Sequence, residues 1–130
     1  MCPRGAAKSI LASAYFERVA KERGLNVRVV SAGIDPDPTV SAAVAGHLKQ
    51  QGYPAPEPSP RKVDPNEFTS ADVVVSIGCD LSGLPAPQGK LVQWNEVPPL
   101  SQDFASGEQA IRKRVLELVE ELLRSAPARK

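Results

Sequence analysis

Apolar positions along this chain follow two periods, and the two alternate. Between residues 6 and 23, Ile10, Leu11, Ala14, Tyr15, Arg18 and Val19 recur at three- and four-residue spacings, with Glu17, Lys21 and Glu22 on the other face. That spacing predicts a helix, and Gly24 stands where a left-handed residue ends one at little cost. Residues 26–31 (NVRVVS) predict a strand. A second helix is predicted over residues 40–51, closed by Gly52. Pro54, Pro56, Pro58 and Pro60 then punctuate residues 53–60 and leave neither ladder nor helix, only a surface loop.

Asp64-Pro65 reads as an N-cap with proline at the first helical position of a short turn. Residues 73–77 (VVVSI) are almost wholly apolar, as a strand covered on both faces would be. Residues 90–94 predict a weaker strand. The spacing of Ser106 and Gln109 is that of a capping box, opening a helix with Ile111, Val115, Leu118, Val119 and Leu122 on one face. Strands alternating with helices imply an α/β fold around a parallel sheet, with ligand chemistry at the carboxyl ends of its strands. Residues 1–125 form one domain in this reading, and 126–130 a frayed tail.

Composition narrows the function classes. The 130 residues carry 16 Lys+Arg against 15 Asp+Glu, a net charge of +1 without the basic field of a nucleic-acid binder. No apolar run approaches the ~20 residues of a membrane span. No charged segment followed by an apolar one opens the chain, so a cytoplasmic location is expected. Cys2 and Cys79 are too few and too far apart for a disulfide framework or a zinc site, and His47 is the lone histidine.

The chemistry therefore concentrates at the start, in Cys2-Pro3-Arg4-Gly5-Ala6-Ala7-Lys8-Ser9. A loop of small residues entering a helix N-terminus turns unpaired amides inward and forms an anion nest. A cysteine at its rim has its thiolate stabilised by the same donors and becomes nucleophilic at neutral pH. Arg4, Gly5, Ala6, Ala7, Lys8 and Ser9 are the candidate oxyanion-binding positions. Lys8 adds a full charge, and Ser9 a hydroxyl able to bond the sulfur as it leaves. Spacing alone fits equally well a cysteine without a role beside a helix cap.

This loop resembles the C-x5-R-S phosphate-binding loop of the low-molecular-weight protein tyrosine phosphatase superfamily, which includes thiol-coupled arsenate reductases. Ser31-Ala32-Gly33 resembles its S-A-G turn, and Pro60-Arg61-Lys62-Val63 followed by Ala71-Asp72-Val73-Val74-Val75 resembles its later R-x-hydrophobic and A-D-hydrophobic segments. The resemblance covers almost the whole chain. It implies a three-layer α/β/α domain, attack by Cys2 on a tetrahedral oxyanion, and no metal or organic cofactor. The implied partners are phosphate, arsenate or a phosphorylated substrate, with an external thiol as reductant in the reductase branch; nucleic acid and membrane are not implied.

Three departures qualify it. Lys8 stands where the family has arginine, so a point charge replaces a planar fork, and Gly5 stands where a family asparagine braces the loop. Val97-Pro98-Pro99 falls where the general-acid aspartate is expected, leaving Glu96 and Asp103 as the nearest carboxylates. The family's short first strand, ending just before the cysteine, is absent; Met1 is expected to be an internal methionine with the natural start upstream. Cys79, in Ile77-Gly78-Cys79-Asp80, is either a small buried residue or a resolving thiol. His47 is expected to pack rather than catalyse, Trp94 to line the core or the site, and Arg112-Lys113-Arg114 to be a solvated helix face. The expected activity is phosphomonoester hydrolysis through a phosphocysteine on Cys2. The alternatives are arsenate reduction by Cys2 and Cys79, or a catalytically weak oxyanion-binding regulatory domain.

Overall fold

The structure is a computed structural model that describes residues 1–56 and 59–125. Its elements are α1 (Lys8–Glu22), α2 (Ala42–Gln50), α3 (Pro65–Ser70), β1 (Val73–Ser76), β2 (Lys90–Gln93) and α4 (Phe104–Ser125). The expected small α/β architecture is the one observed. The expected frayed tail, residues 126–130, and residues 57 and 58 of the proline loop lie outside the described residues.

Helix ends follow the local chemistry closely. Leu25 N–H reaches Ala20 O at 2.8 Å beyond α1, and Tyr53 N–H reaches Leu48 O at 2.9 Å beyond α2. Both are six-to-one closures that pass through Gly24 and Gly52. Asp64 caps α3 by accepting from Asn66 N–H at 2.8 Å, with Pro65 as the first helical residue. Three helix starts differ from expectation, α2 beginning at Ala42 behind a Ser41 cap. α1 begins at Lys8 because Ala6 and Ala7 belong to the preceding loop. α4 begins before Ser106, because Asp103 is the better cap: its carboxylate accepts from Ser106 N–H at 3.1 Å and from Ser106 Oγ at 2.7 Å.

The larger correction concerns the sheet. β1 and β2 pair in parallel, Val73 opposite Lys90 through Ser76 opposite Gln93. On the other side of β1, the Met1 nitrogen donates to Val75 O at 2.7 Å and Ile77 N–H donates to Met1 O at 2.8 Å. Cys2 N–H then reaches Ala32 O at 3.3 Å, and single bridges join Cys2 to Gly33 and Gly33 to Lys62. Residues 26–31, expected as a strand, form no ladder. β-branched side chains favour a strand only where a neighbour supplies pairing. Among the described residues no backbone hydrogen bond pairs this segment, and Val27 and Val30 are 38% and 48% exposed.

α1 and α4 pack on one another around Leu11, Ile111, Val115 and Val119, all with essentially no exposure, and Trp94 is buried in the same core. Within that core sits a polar cluster. Tyr15 Oη donates to Glu108 Oε2 at 2.8 Å and lies 2.8 Å from His47 Nε2. Arg112 Nε donates to the same Glu108 oxygen at 3.0 Å, while its guanidinium stacks 4.6 Å above the Tyr15 ring. An ionised carboxylate only accepts, so the single tyrosine proton goes to Glu108 and His47 Nε2–H donates to the phenol. His47 therefore packs as expected. Arg112, Lys113 and Arg114 lie on the solvated helix face expected, where Arg112 pairs with Glu108 and Arg114 with Glu96 and Glu117.

Burial would raise the Glu108 carboxyl, but bonds from Tyr15 and Arg112, together with the Arg112 and His47 charges, hold it below its ordinary value. A depressed carboxyl stabilises the fold above its unfolded value and loses that contribution as pH falls through its folded value. Tyr15→Phe is expected to lower urea-measured stability by about 1.5–3 kcal/mol, the range for a bond to a charged acceptor. It should also flatten the acid limb of stability below about pH 4.3, the ordinary Glu value.

Candidate active site

The loop of residues 2–9 is shaped by two glycines that cross. Gly5 has φ +63°, and a Cβ placed on it would lie 2.8 Å from Gly33 N; one on Gly33 would lie 2.6 Å from Gly5 N. Only backbone fits there. From the outside, Asp35 N–H donates to Pro3 O at 2.9 Å, Asp37 N–H to Arg4 O at 3.0 Å and Ser41 N–H to Ala6 O at 2.8 Å. A trans peptide points its N–H opposite to its C=O. With carbonyls 3, 4 and 6 turned outward, the amides of Arg4, Gly5 and Ala7 turn inward. Among the described residues they have no protein acceptor. The amides of Lys8 and Ser9 follow at the positive end of α1.

Cys2 faces this nest. Its sulfur donates to Ser9 Oγ at 3.1 Å and accepts from Ser9 N–H at 3.4 Å; both residues are buried, 4% and 2% exposed. Lys8 Nζ donates to Val97 O at 3.0 Å, so the loop cation also holds the segment carrying Val97-Pro98-Pro99. The Arg4 side chain points away from the nest, to Asp35 Oδ2 at 2.8 Å and toward Asp37 at 3.8 Å. Thus Cys2, Lys8, Ser9 and the backbone of residues 4–7 come together, while the Arg4 guanidinium does not join them.

The carboxylates have other partners. Glu96 pairs with Arg114 of α4. Asp103 caps α4, and the two bonds from Ser106 hold its carboxyl below the usual range. Cys79 ends the turn after β1, with its N–H donating to Ser76 Oγ at 3.3 Å. Burial raises its thiol above the ordinary value; Ser76 opposes that and the Cys2 charge adds to it. Both thiols are free, Cys2 buried and Cys79 half-buried. No group of three or more His, Cys, Asp or Glu side chains stands close enough to hold a metal ion among the described residues. Sequence reasoning missed Asp35, Asp37, Ser41 and the Val97 carbonyl. The Asp-Pro-Asp-Pro run at 35–38 was the available signal, since alternate prolines leave alternate N–H groups for pairing.

A thiol seated in an amide nest, between the edge of a parallel sheet and a helix N-terminus, defines a phosphate-loop α/β fold. Residues 1–90 match the model of the low molecular weight phosphotyrosine protein phosphatase family, and the chain belongs to that family. A putative arsenate reductase of Halobacterium salinarum is 27% identical over 126 residues, covering 93% of this chain and 89% of that protein. The thioredoxin-dependent arsenate reductase of Corynebacterium glutamicum superposes with TM-score 0.81 at 25% identity; the match covers 95% of this chain but only 60% of that one. A low molecular weight phosphotyrosine phosphatase of Vibrio cholerae superposes with TM-score 0.82 at 20% identity, covering 96% of this chain and 95% of that one, a likeness of fold. No helix among the described residues is long and apolar enough to cross a membrane.

The crossing of Gly5 and Gly33 makes a sharp prediction. Gly33→Ala should weaken inorganic phosphate binding, measured by calorimetry, at least tenfold, or about 1.4 kcal/mol. Gly83→Ala, where an added Cβ meets nothing within 4 Å, should leave it unchanged.

Proposed function

We propose that this chain is a thiol-dependent enzyme acting on a small tetrahedral oxyanion, with arsenate as substrate and Cys79 as resolving thiol. The observation that carries this reading is the second free thiol, Cys79, in the turn after β1, where Ile77 N–H donates to Met1 O at 2.8 Å and sets that turn beside the start of the Cys2 loop. The Cys2 thiolate attacks arsenic held by the inward amides; a sulfur–arsenic bond forms, one arsenic–hydroxyl bond breaks, and the hydroxyl leaves to solvent as hydroxide. Cys79 as thiolate then attacks the Cys2 sulfur. The sulfur–arsenic bond breaks, its electron pair passes to arsenic, and As(V) becomes As(III) as arsenite leaves. The product is a Cys2–Cys79 disulfide, which an external dithiol reduces by exchange. The 27% identical putative arsenate reductase and the thioredoxin-dependent structural neighbour support this reading.

Two features favour a small oxyanion over a phosphotyrosyl group. The aromatic side chains are engaged elsewhere: Tyr15, Phe68 and Trp94 are buried, and Phe16 packs against the core. Phe104 lies against His47, and Tyr53 lies under Arg18. The carboxylates nearest in sequence to the expected acid position are bound to Arg114 and Ser106. A missing acid costs ester cleavage about 10²- to 10⁴-fold.

Phosphomonoester hydrolysis is the second reading, favoured by the family match and by a nest that serves either anion. Cys2 would attack phosphorus, the alcohol would leave, and water would hydrolyse the phosphocysteine. Without a placed acid this activity is expected on aryl phosphates, whose leaving groups need little protonation.

Cys79→Ser is expected to abolish arsenate turnover while leaving aryl phosphate hydrolysis within about twofold, because only resolution needs a second thiol. Mass spectrometry after arsenate treatment should show an intramolecular Cys2–Cys79 disulfide in the native chain. Since burial raises the Cys79 thiol, reductase turnover should keep rising above the ordinary thiol value of about pH 8.5. Equal activity of Cys79→Ser in both assays would remove the reductase reading and leave hydrolysis.

A further inference from the structure

The nest lacks an internal brace. Gly5 has no side chain, and no side chain within residues 3–7 bonds the loop's own backbone among the described residues. Yet carbonyls 3, 4 and 6 are all held outward, by N–H groups of residues 35, 37 and 41. Pro36 and Pro38 flank Asp37, so the first half of the strap carries N–H groups at residues 35 and 37 and none at 36 or 38. Ser41 continues it directly into α2, where its hydroxyl accepts from Val44 N–H at 3.4 Å. One side chain of the loop grips this strap. Arg4 NH1 donates to Asp35 Oδ2 at 2.8 Å and to Asp35 O at 3.3 Å, and Arg4 Nε lies 3.8 Å from Asp37 Oδ1.

We propose that Arg4, Asp35 and Asp37 are positioning residues: a clasp outside the loop that keeps the strap against carbonyls 3 and 4 and so presets the inward amides for an oxyanion. The inference rests on the oxyanion reading above and deepens it. The clasp is exposed, 61% at Arg4 and 83% at Asp35. An exposed pair contributes at most about 1 kcal/mol to global stability. Its effect falls instead on a backbone whose orientation decides how many N–H groups converge on one anion. Preset donors bind without first being ordered, and this difference appears in affinity rather than in melting temperature.

The sign of one substitution separates this role from simple electrostatics. Asp35 and Asp37 carry negative charge near a site for anions. By Coulomb's law alone, Asp35→Asn or Asp37→Asn should tighten phosphate binding. If the carboxylates act through the clasp, both substitutions weaken it.

The experiment is calorimetric titration of the full chain with inorganic phosphate, for wild type, Arg4→Met, Asp35→Asn, Asp37→Asn and the swap Arg4→Asp with Asp35→Arg. The expected result is weakening by about threefold to fivefold in Asp35→Asn, the size of one exposed pair. Melting temperature should be unchanged, and the charge swap should restore part of the affinity. Tighter binding in both Asp→Asn variants overturns the proposal. A second measurement needs no ligand: amide hydrogen exchange at Asp35, Asp37 and Ser41 should be slow in wild type and several-fold faster in Arg4→Met. Unchanged exchange there overturns the clasp. If wild-type chain binds no phosphate while exchange responds as expected, the oxyanion reading fails and the clasp survives as a loop brace.

Discussion

Everything at the carboxyl edge of the sheet depends on two backbones touching without side chains between them. The Cys2 loop crosses the turn at Gly33 so closely that a methyl group on either glycine would overlap a peptide. This contact sets the height of the loop over the sheet. It also brings residues 35–41 alongside, where their amides take the loop carbonyls. A nest built this way stores its order in neighbouring backbone rather than in a side chain of its own. Rigidity comes from steric exclusion on one side and hydrogen bonding on the other.

The helices extend that order into the core. α1 begins where the nest ends, so the orientation of its first turn is a chemical variable as well as a structural one. Two turns along, Tyr15 ties α1 to α2 through His47 and to α4 through Glu108. Beside the nest, Lys8 ties the same helix start to the loop before α4 through the Val97 carbonyl.

Much of this was legible in the sequence. Helical stripes, glycine ends and the Asp64-Pro65 cap reported local structure because they act within a few residues. The thiol loop was legible for the same reason. What failed was whatever depended on distant partners. Residues 26–31 have strand composition, but pairing is supplied by a neighbour, not by propensity. Asp103 outcompeted Ser106 as the cap of α4, a choice between residues three positions apart that spacing alone does not make. Arg112 and Arg114 were legible as a solvated run, but their partners, Glu108 with Tyr15 in one case and Glu96 in the other, are matched only by the fold. Asp35 and Asp37 were passed over in the sequence, because their meaning appears only once the loop lies beside them.

The unpaired segment at residues 26–31 also bears on how copies of this chain meet one another. A short β-branched run with open backbone groups is a template for intermolecular strand pairing. Val27 and Val30 are exposed on it, and Val29 is half-buried. Arg28, exposed in the middle of the run, is the one charge within it. Stacking this segment in register would place like charges within a strand spacing of about 4.8 Å. A charge at this position opposes in-register stacking of a stretch whose composition otherwise favours it.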